Sequence, residues 1–519
     1  MGSRRTFRPR TETRLALLAG LAALAAAGSA RSDDPSAAAP CAACHGPAGE
    51  GNPAGAMPRL AGLPAAYLRA QLEAYANGTR ESAIMAPLAR SLGGAQRAQL
   101  ADYYARLPVR AAAPAAVAVA LDEQLALRGR WSQGLPACVQ CHGESGSGIG
   151  AAFPALAGQP AVYLDGQLRA WREGKRRGDP LGLMQRVASR LSDADQRAAA
   201  AYFAAIPARG AAPATTTSRR AAPRSAAASP ASAAGARRPT PFEPSDLPIP
   251  DDDFGRVVQL GREIFDDPGK YAGRYVGNDL RCTSCHLDEG RRVGSAPMWA
   301  AYVSYPAYRV KNGHVNTFAE RLQGCFLYSM NGSMPPLGDP VLIALESYAY
   351  WMARGAPLDP NIAGRGYPKL ARAALPRDAG RGAQVYAREC ALCHGENGAG
   401  QRAGDGSPGF PALWGANSYN WGAGMVSVKN AAAFIKGNMP FSLGGTLTDQ
   451  QAWDVALFVD SHERSQDPRY SGSVAATRAR FHDRDDSLYG IAVGGRLLGG
   501  NSVPPGHRPP ESNPAHHAR

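Results

Sequence analysis

Four pentapeptides of one pattern limit what this chain can fold around: Cys41-Ala42-Ala43-Cys44-His45, Cys138-Val139-Gln140-Cys141-His142, Cys282-Thr283-Ser284-Cys285-His286 and Cys390-Ala391-Leu392-Cys393-His394. Cysteines at i and i+3 face the same way on one helical turn, so both thiols reach the two vinyl groups of one porphyrin. The histidine that follows can turn its imidazole under the iron. Each run reads as a c-type haem attachment site. The expected cofactors are therefore four covalently bound haem c groups, held by Cys41, Cys44, Cys138, Cys141, Cys282, Cys285, Cys390 and Cys393. His45, His142, His286 and His394 would bind the irons. A zinc reading lacks the second Cys or His pair that a tetrahedral site needs. Of nine cysteines, only Cys325 is left over.

The chain divides around these runs. Residues 1–30 read as an export signal, with five Arg, an apolar stretch from Leu15 to Ala27 and small residues up to Ala30. This predicts a periplasmic protein with no integral membrane segment after signal cleavage. Residues 31–110 and 111–207 are expected to form two cytochrome c domains that repeat each other. Pro58-Arg59-Leu60-Ala61-Gly62 matches Pro154-Ala155-Leu156-Ala157-Gly158. Residues 208–245 are rich in Ala, Pro, Ser and Arg, which cannot build a core, and read as a linker. Residues 246–360 and 361–466 are expected to form two more domains, and 467–519 a Gly/Pro-rich tail without assigned function. The predicted fold is mainly α: four cytochrome c-type domains in two dihaem halves.

The formal charge of +14 does not indicate nucleic acid. Residues 1–30 hold five Arg against one Glu, and 208–242 hold six Arg and no acid. Without these two segments the charge falls to +4.

The second iron ligand sets each haem's task, since Met raises the potential and suits electron transfer. The repeat aligns Met85 with Met184, 44 residues after Cys41 and 46 after Cys138. For the fourth haem Met439 is preferred to Met425. For the third, spacing leaves three candidates open: Cys325, 43 residues after Cys282, Met334 and His314.

Several strings resemble the catalytic domain of thiosulfate dehydrogenases: Tyr275-Val276-Gly277-Asn278-Asp279-Leu280-Arg281-Cys282, Tyr305-Pro306-Ala307-Tyr308-Arg309, Glu320-Arg321-Leu322-Gln323-Gly324-Cys325-Phe326 and Ser329-Met330-Asn331-Gly332. The first half, about 35–207, resembles dihaem cytochromes of the c4 type, which serve some of these enzymes as electron acceptor. The resemblance implies that Cys325 is the distal ligand of the third iron. It also implies oxidation of two thiosulfates to tetrathionate, with electrons passing from the third haem to the fourth and on to the first pair. Arg309, Lys311 and Arg321 would supply cations for the dianionic substrate, and Ser329 a hydrogen bond. Arg321, Cys325 and Ser329 are also spaced to share one helical face, so structural pairing explains them equally well. Two departures are Asn438, where some relatives have Lys, and Lys311, where Arg is familiar. Downstream partners would be a soluble cytochrome, a high-potential carrier or a terminal oxidase. The rivals are an enzyme that loads thiosulfate onto a carrier protein, and a four-haem electron wire without catalysis.

Overall fold

Each Cys-x-x-Cys-His run lies on a short helical turn. The first lies within α-helix Ala39–His45, the second and fourth have their first cysteine as N-cap of Val139–His142 and Ala391–His394, and the third opens on a 3-10 turn, Cys282–Ser284. The structure is a computed structural model and describes residues 38–52, 56–109, 122–208, 242–244, 248–359 and 361–502. The export-signal reading, nearly all of the linker and the last seventeen residues of the tail, 503–519, lie outside the described residues. Among those described, strands occur only as three short hairpins. No described helix is long and apolar enough to cross a membrane.

The first two units repeat in space as they do in sequence. Helices Ala65–Asn77 and Gly94–Arg106 of the first correspond to Ala161–Arg172 and Asp193–Ala205 of the second. They meet face to face: Arg59 N–H donates to Gln159 Oε1 at 3.0 Å and Gln159 Nε2 returns a bond to Arg59 O at 3.0 Å. Arg80 and Arg176 pair in an isolated antiparallel bridge.

In the third and fourth units the opening helix crosses the closing one. Asp253–Asp266 packs on Pro340–Ala353, and Ala379–Glu389 on Asp449–Asp460. Both crossings turn on a glycine. A Cβ on Gly261 would overlap the Ala344 carbonyl, and one on Gly382 the Asp454 carbonyl. Gly261→Ala is expected to cost about 1–3 kcal/mol, because the two backbones must separate. An unchanged denaturation midpoint would show that the crossing is looser than described. The last helix starts at a capping box: Thr448 N–H donates to Gln451 Oε1 at 2.8 Å and Gln451 N–H to Thr448 Oγ1 at 3.1 Å.

Residues 467–502 do not trail away. His482, Tyr489 and Leu498 are buried, and Tyr489 and Leu498 join the apolar core of the third unit with Trp299, Phe265 and Tyr348. Their Gly/Pro-rich composition marks turns and says nothing about where those turns dock.

The second unit binds the C-terminal half. Ile149 bridges Ala403, Phe153 and Phe410 lie with ring centroids 5.0 Å apart, and Gly404 N–H donates to Gly148 O at 2.8 Å. Arg281 pairs with Glu144, and Arg128 with Glu289 at 3.5 Å.

Candidate active site and haem-binding sites

All four motif histidines are held alike. His45 Nδ1 is 2.9 Å from Pro58 O, His142 Nδ1 2.8 Å from Pro154 O, His286 Nδ1 2.6 Å from Ala296 O, and His394 Nδ1 2.9 Å from Pro411 O. A carbonyl acceptor fixes the proton on Nδ1 and leaves Nε2 as a lone-pair donor, which is what an iron requires. Burial lowers all four imidazole pKa values, which favours the neutral ligand form. The repeated Pro58 and Pro154 strings thus carry the acceptors of the first two histidines.

The surroundings also fit haem c. An apolar cavity of about 310 Å³ is lined by Cys138, Cys141, His142 and Met184 among others. Arg80 and Arg176 reach the same cavity, and both are buried. Their hydrogen-bond partners are neutral: Gln71, Gln167, Tyr163 and Tyr67. Buried guanidiniums hydrogen-bonded only to neutral side chains suit haem propionates. Met85 opens helix Met85–Ser91, and Met184 holds the corresponding place in Leu183–Arg190. Met439 follows helix Val428–Asn438 directly.

The third site differs. A smaller cavity of about 60 Å³ is lined by Cys282, Cys285, His286, Cys325 and Ser329, with Met330 and Met425. Met425, the rejected candidate for the fourth haem, therefore belongs beside the third. Met334 and His314 point elsewhere: Met334 is 51% exposed, and His314 bonds Asn316 and Glu320 at the surface. Helix Phe318–Gly324 gives way at Cys325 to a π-helical turn, Cys325–Ser329, closed by Met330 N–H on Cys325 O at 2.9 Å. Such a turn widens the spacing beyond the i, i+4 pattern and is frequent at functional sites. It sets both Cys325 and Ser329 on the cavity.

Arg321 Nη1 lies 2.8 Å from Cys325 Sγ. Arg321's pKa is raised, chiefly by Cys325. Arg309 comes from the hairpin Ala307–Arg309/His314–Asn316, where Tyr308 points outward at 64% exposure. Lys311 lies in its turn. Lys311 is exposed as a residue, yet its ammonium sits 3.8 Å from the Tyr328 ring centroid and donates to Gly422 O. Burial, then Arg469 and Arg321, bring its pKa down to about 7. Asn438 is buried and fully engaged: its amide donates to Gly294 O at 3.1 Å and Phe434 O at 3.0 Å, and accepts from Arg292 Nε at 3.0 Å. Sequence reasoning missed Tyr328, Gly422, Asp467 and Arg469, because no local pattern ties them to Cys325.

Helical units built around Cys-x-x-Cys-His runs define a multidomain c-type cytochrome, whose cofactor is covalently bound haem c. The cytochrome c family model matches residues 36–106 and 135–206, and the model for subunit III of cbb3-type cytochrome c oxidase matches 377–459. Over 261 residues the chain is 59% identical to a thiosulfate dehydrogenase of Thiomonas intermedia, covering 50% of this chain and 83% of that protein. Over 176 residues it is 50% identical to a thiosulfate dehydrogenase electron acceptor of the same organism, covering 33% of this chain and 81% of that one. The solved thiosulfate dehydrogenase TsdBA of Marichromatium purpuratum superimposes with a TM-score of 0.81 at 45% identity, covering 89% of this chain and 96% of that one. The chain belongs to the thiosulfate dehydrogenase family and joins the enzyme to a c4-like dihaem half.

Proposed function

We propose that the chain couples two thiosulfates into tetrathionate at Cys325 and passes both electrons to its own N-terminal half. The observation that carries this is the 2.8 Å contact of Arg321 with Cys325 Sγ inside the cavity of the third attachment site. A guanidinium at that distance is placed to pair with the sulfur and with an anionic substrate beside it. Bound haem c supplies one-electron acceptance. Cys325 Sγ bonds the terminal sulfur of a first thiosulfate as two electrons leave, one at a time. The terminal sulfur of a second thiosulfate then attacks the outer sulfur of that adduct. The bond to Sγ breaks, tetrathionate departs, and the Cys325 thiolate is restored. Arg309, Lys311 and Ser329 orient the sulfonates.

Cys325 and the four motif histidines, with Met85, Met184 and Met439, form the iron-ligand set of this reading. The exit contact runs from the fourth unit to the second, because Cys141, Leu392 and Cys393 line one cavity and Phe153, which also lines it, packs on Phe410. The fused acceptor half argues against a carrier-protein transferase, which needs no built-in electron sink. With thiosulfate and ferricyanide, the full chain should form one tetrathionate for every two thiosulfates consumed and two ferricyanides reduced. Sulfur recovered only as a protein-bound adduct would contradict the reading.

A further inference from the structure

The Tyr328 ring, three residues past Cys325, gathers cations from separate parts of the chain. Lys311 Nζ lies 3.8 Å from its centroid, and the guanidinium carbon of Arg469 lies 5.2 Å from it. Arg469 belongs to the C-terminal segment that composition alone would dismiss as a tail. It is the charge that acts most strongly on Lys311, ahead of Arg321, and with Arg309 it also acts on Tyr328. Arg309, Lys311, Arg321 and Arg469 thus converge on one ring and one thiol. The carboxylate acting on this group is Asp467.

Arg469 is held firmly. Its Nε and Nη2 donate to the two Asp467 oxygens at 2.9 and 2.6 Å, and its guanidinium lies 4.2 Å from the Phe481 ring centroid. Asp467 is fully buried and is fixed in turn by His482 Nε2 at 2.8 Å, while His482 Nδ1 meets Ser487 Oγ at 3.1 Å. Arg469 Nη1 makes no hydrogen bond to a described residue. A guanidinium fixed this way loses little freedom when it takes an oxyanion. Three guanidiniums and the Lys311 amine face one carboxylate here, and their mutual repulsion is relieved when an anion joins them. The substrate of this family is a dianion.

We propose that Arg469 is a substrate-binding residue: with Lys311 it holds the sulfonate of a thiosulfate beside Tyr328, so that the C-terminal segment completes the active site. Asp467 and His482 are positioning residues that aim it. The inference rests on Cys325 being the reacting group, and its failure can be told from the failure of that reading. If Cys325→Ala is inactive but Arg469 proves indifferent, only the present inference falls.

The test uses the full haem-loaded chain with ferricyanide as acceptor. Arg469→Gln should raise KM for thiosulfate about tenfold, the worth of one charge-assisted hydrogen bond, with kcat nearly unchanged. Arg469→Lys should recover most of the loss, and the fall of kcat/KM with added salt should be shallower in Arg469→Gln. An unchanged KM overturns the proposal, as does a fall in kcat that Arg469→Lys shares. A second measurement needs no variant. Phenylglyoxal labelling of the native protein, mapped by mass spectrometry, should show Arg469 protected by thiosulfate and not by chloride at equal ionic strength. Equal labelling in both salts overturns the proposal even if Arg469→Gln fails to fold.

Discussion

Cys325→Ala is expected to abolish thiosulfate oxidation, with turnover falling about a thousandfold or more, because the variant removes the only sulfur nucleophile proposed for the reaction. Haem content should be unchanged, since the eight thioether cysteines are untouched. The low-temperature EPR spectrum should lose its thiolate-type signal and keep the others. A buried thiol with no chemical role would instead yield a small stability change of about 1 kcal/mol and near-normal turnover. That outcome would falsify the assignment of Cys325 to the chemistry. Arg321→Met separates the two partners further. It leaves the thiol in place, so it should weaken turnover without removing the EPR signal.

Met184→Ala should leave the chemistry intact and block the exit. Met184 lines the cavity of the second attachment site, and that cavity reaches Cys393 of the fourth unit. With the ligand set proposed above, losing the thioether would lower the potential at the first stop in the N-terminal half. Steady-state transfer to an external cytochrome should fall about tenfold or more, whereas rapid-mixing absorbance should still show fast reduction within the C-terminal half. If early reduction slows as much as in Cys325→Ala, Met184 belongs to the chemistry and the division between halves is wrong. If neither phase changes and the Met-iron absorption band survives, Met184 is a core residue only.

Short-range chemistry was legible in the chain. The Cys-x-x-Cys-His runs, the Thr448 capping box and the Pro58/Pro154 repeat depend on residues a few positions apart, where helical geometry alone decides who faces whom. Spacing alone left the third iron open between Cys325, Met334 and His314. Burial separates them: Cys325 lines the cavity of the third attachment site, whereas Met334 and His314 lie at the surface.

From sequence by itself came four Cys-x-x-Cys-His runs, two paired halves, a mainly helical fold and one unmatched cysteine. Only the tertiary structure decided that the second unit meets the fourth, that a π-helical turn sets Cys325 and Ser329 on one cavity, and that Arg469 shares Tyr328 with Lys311. Those features join residues more than a hundred positions apart, or depend on one hydrogen bond shifting register within a helix. Neither leaves a periodic trace in the sequence, because such contacts are set by which surfaces bury each other and not by local propensity.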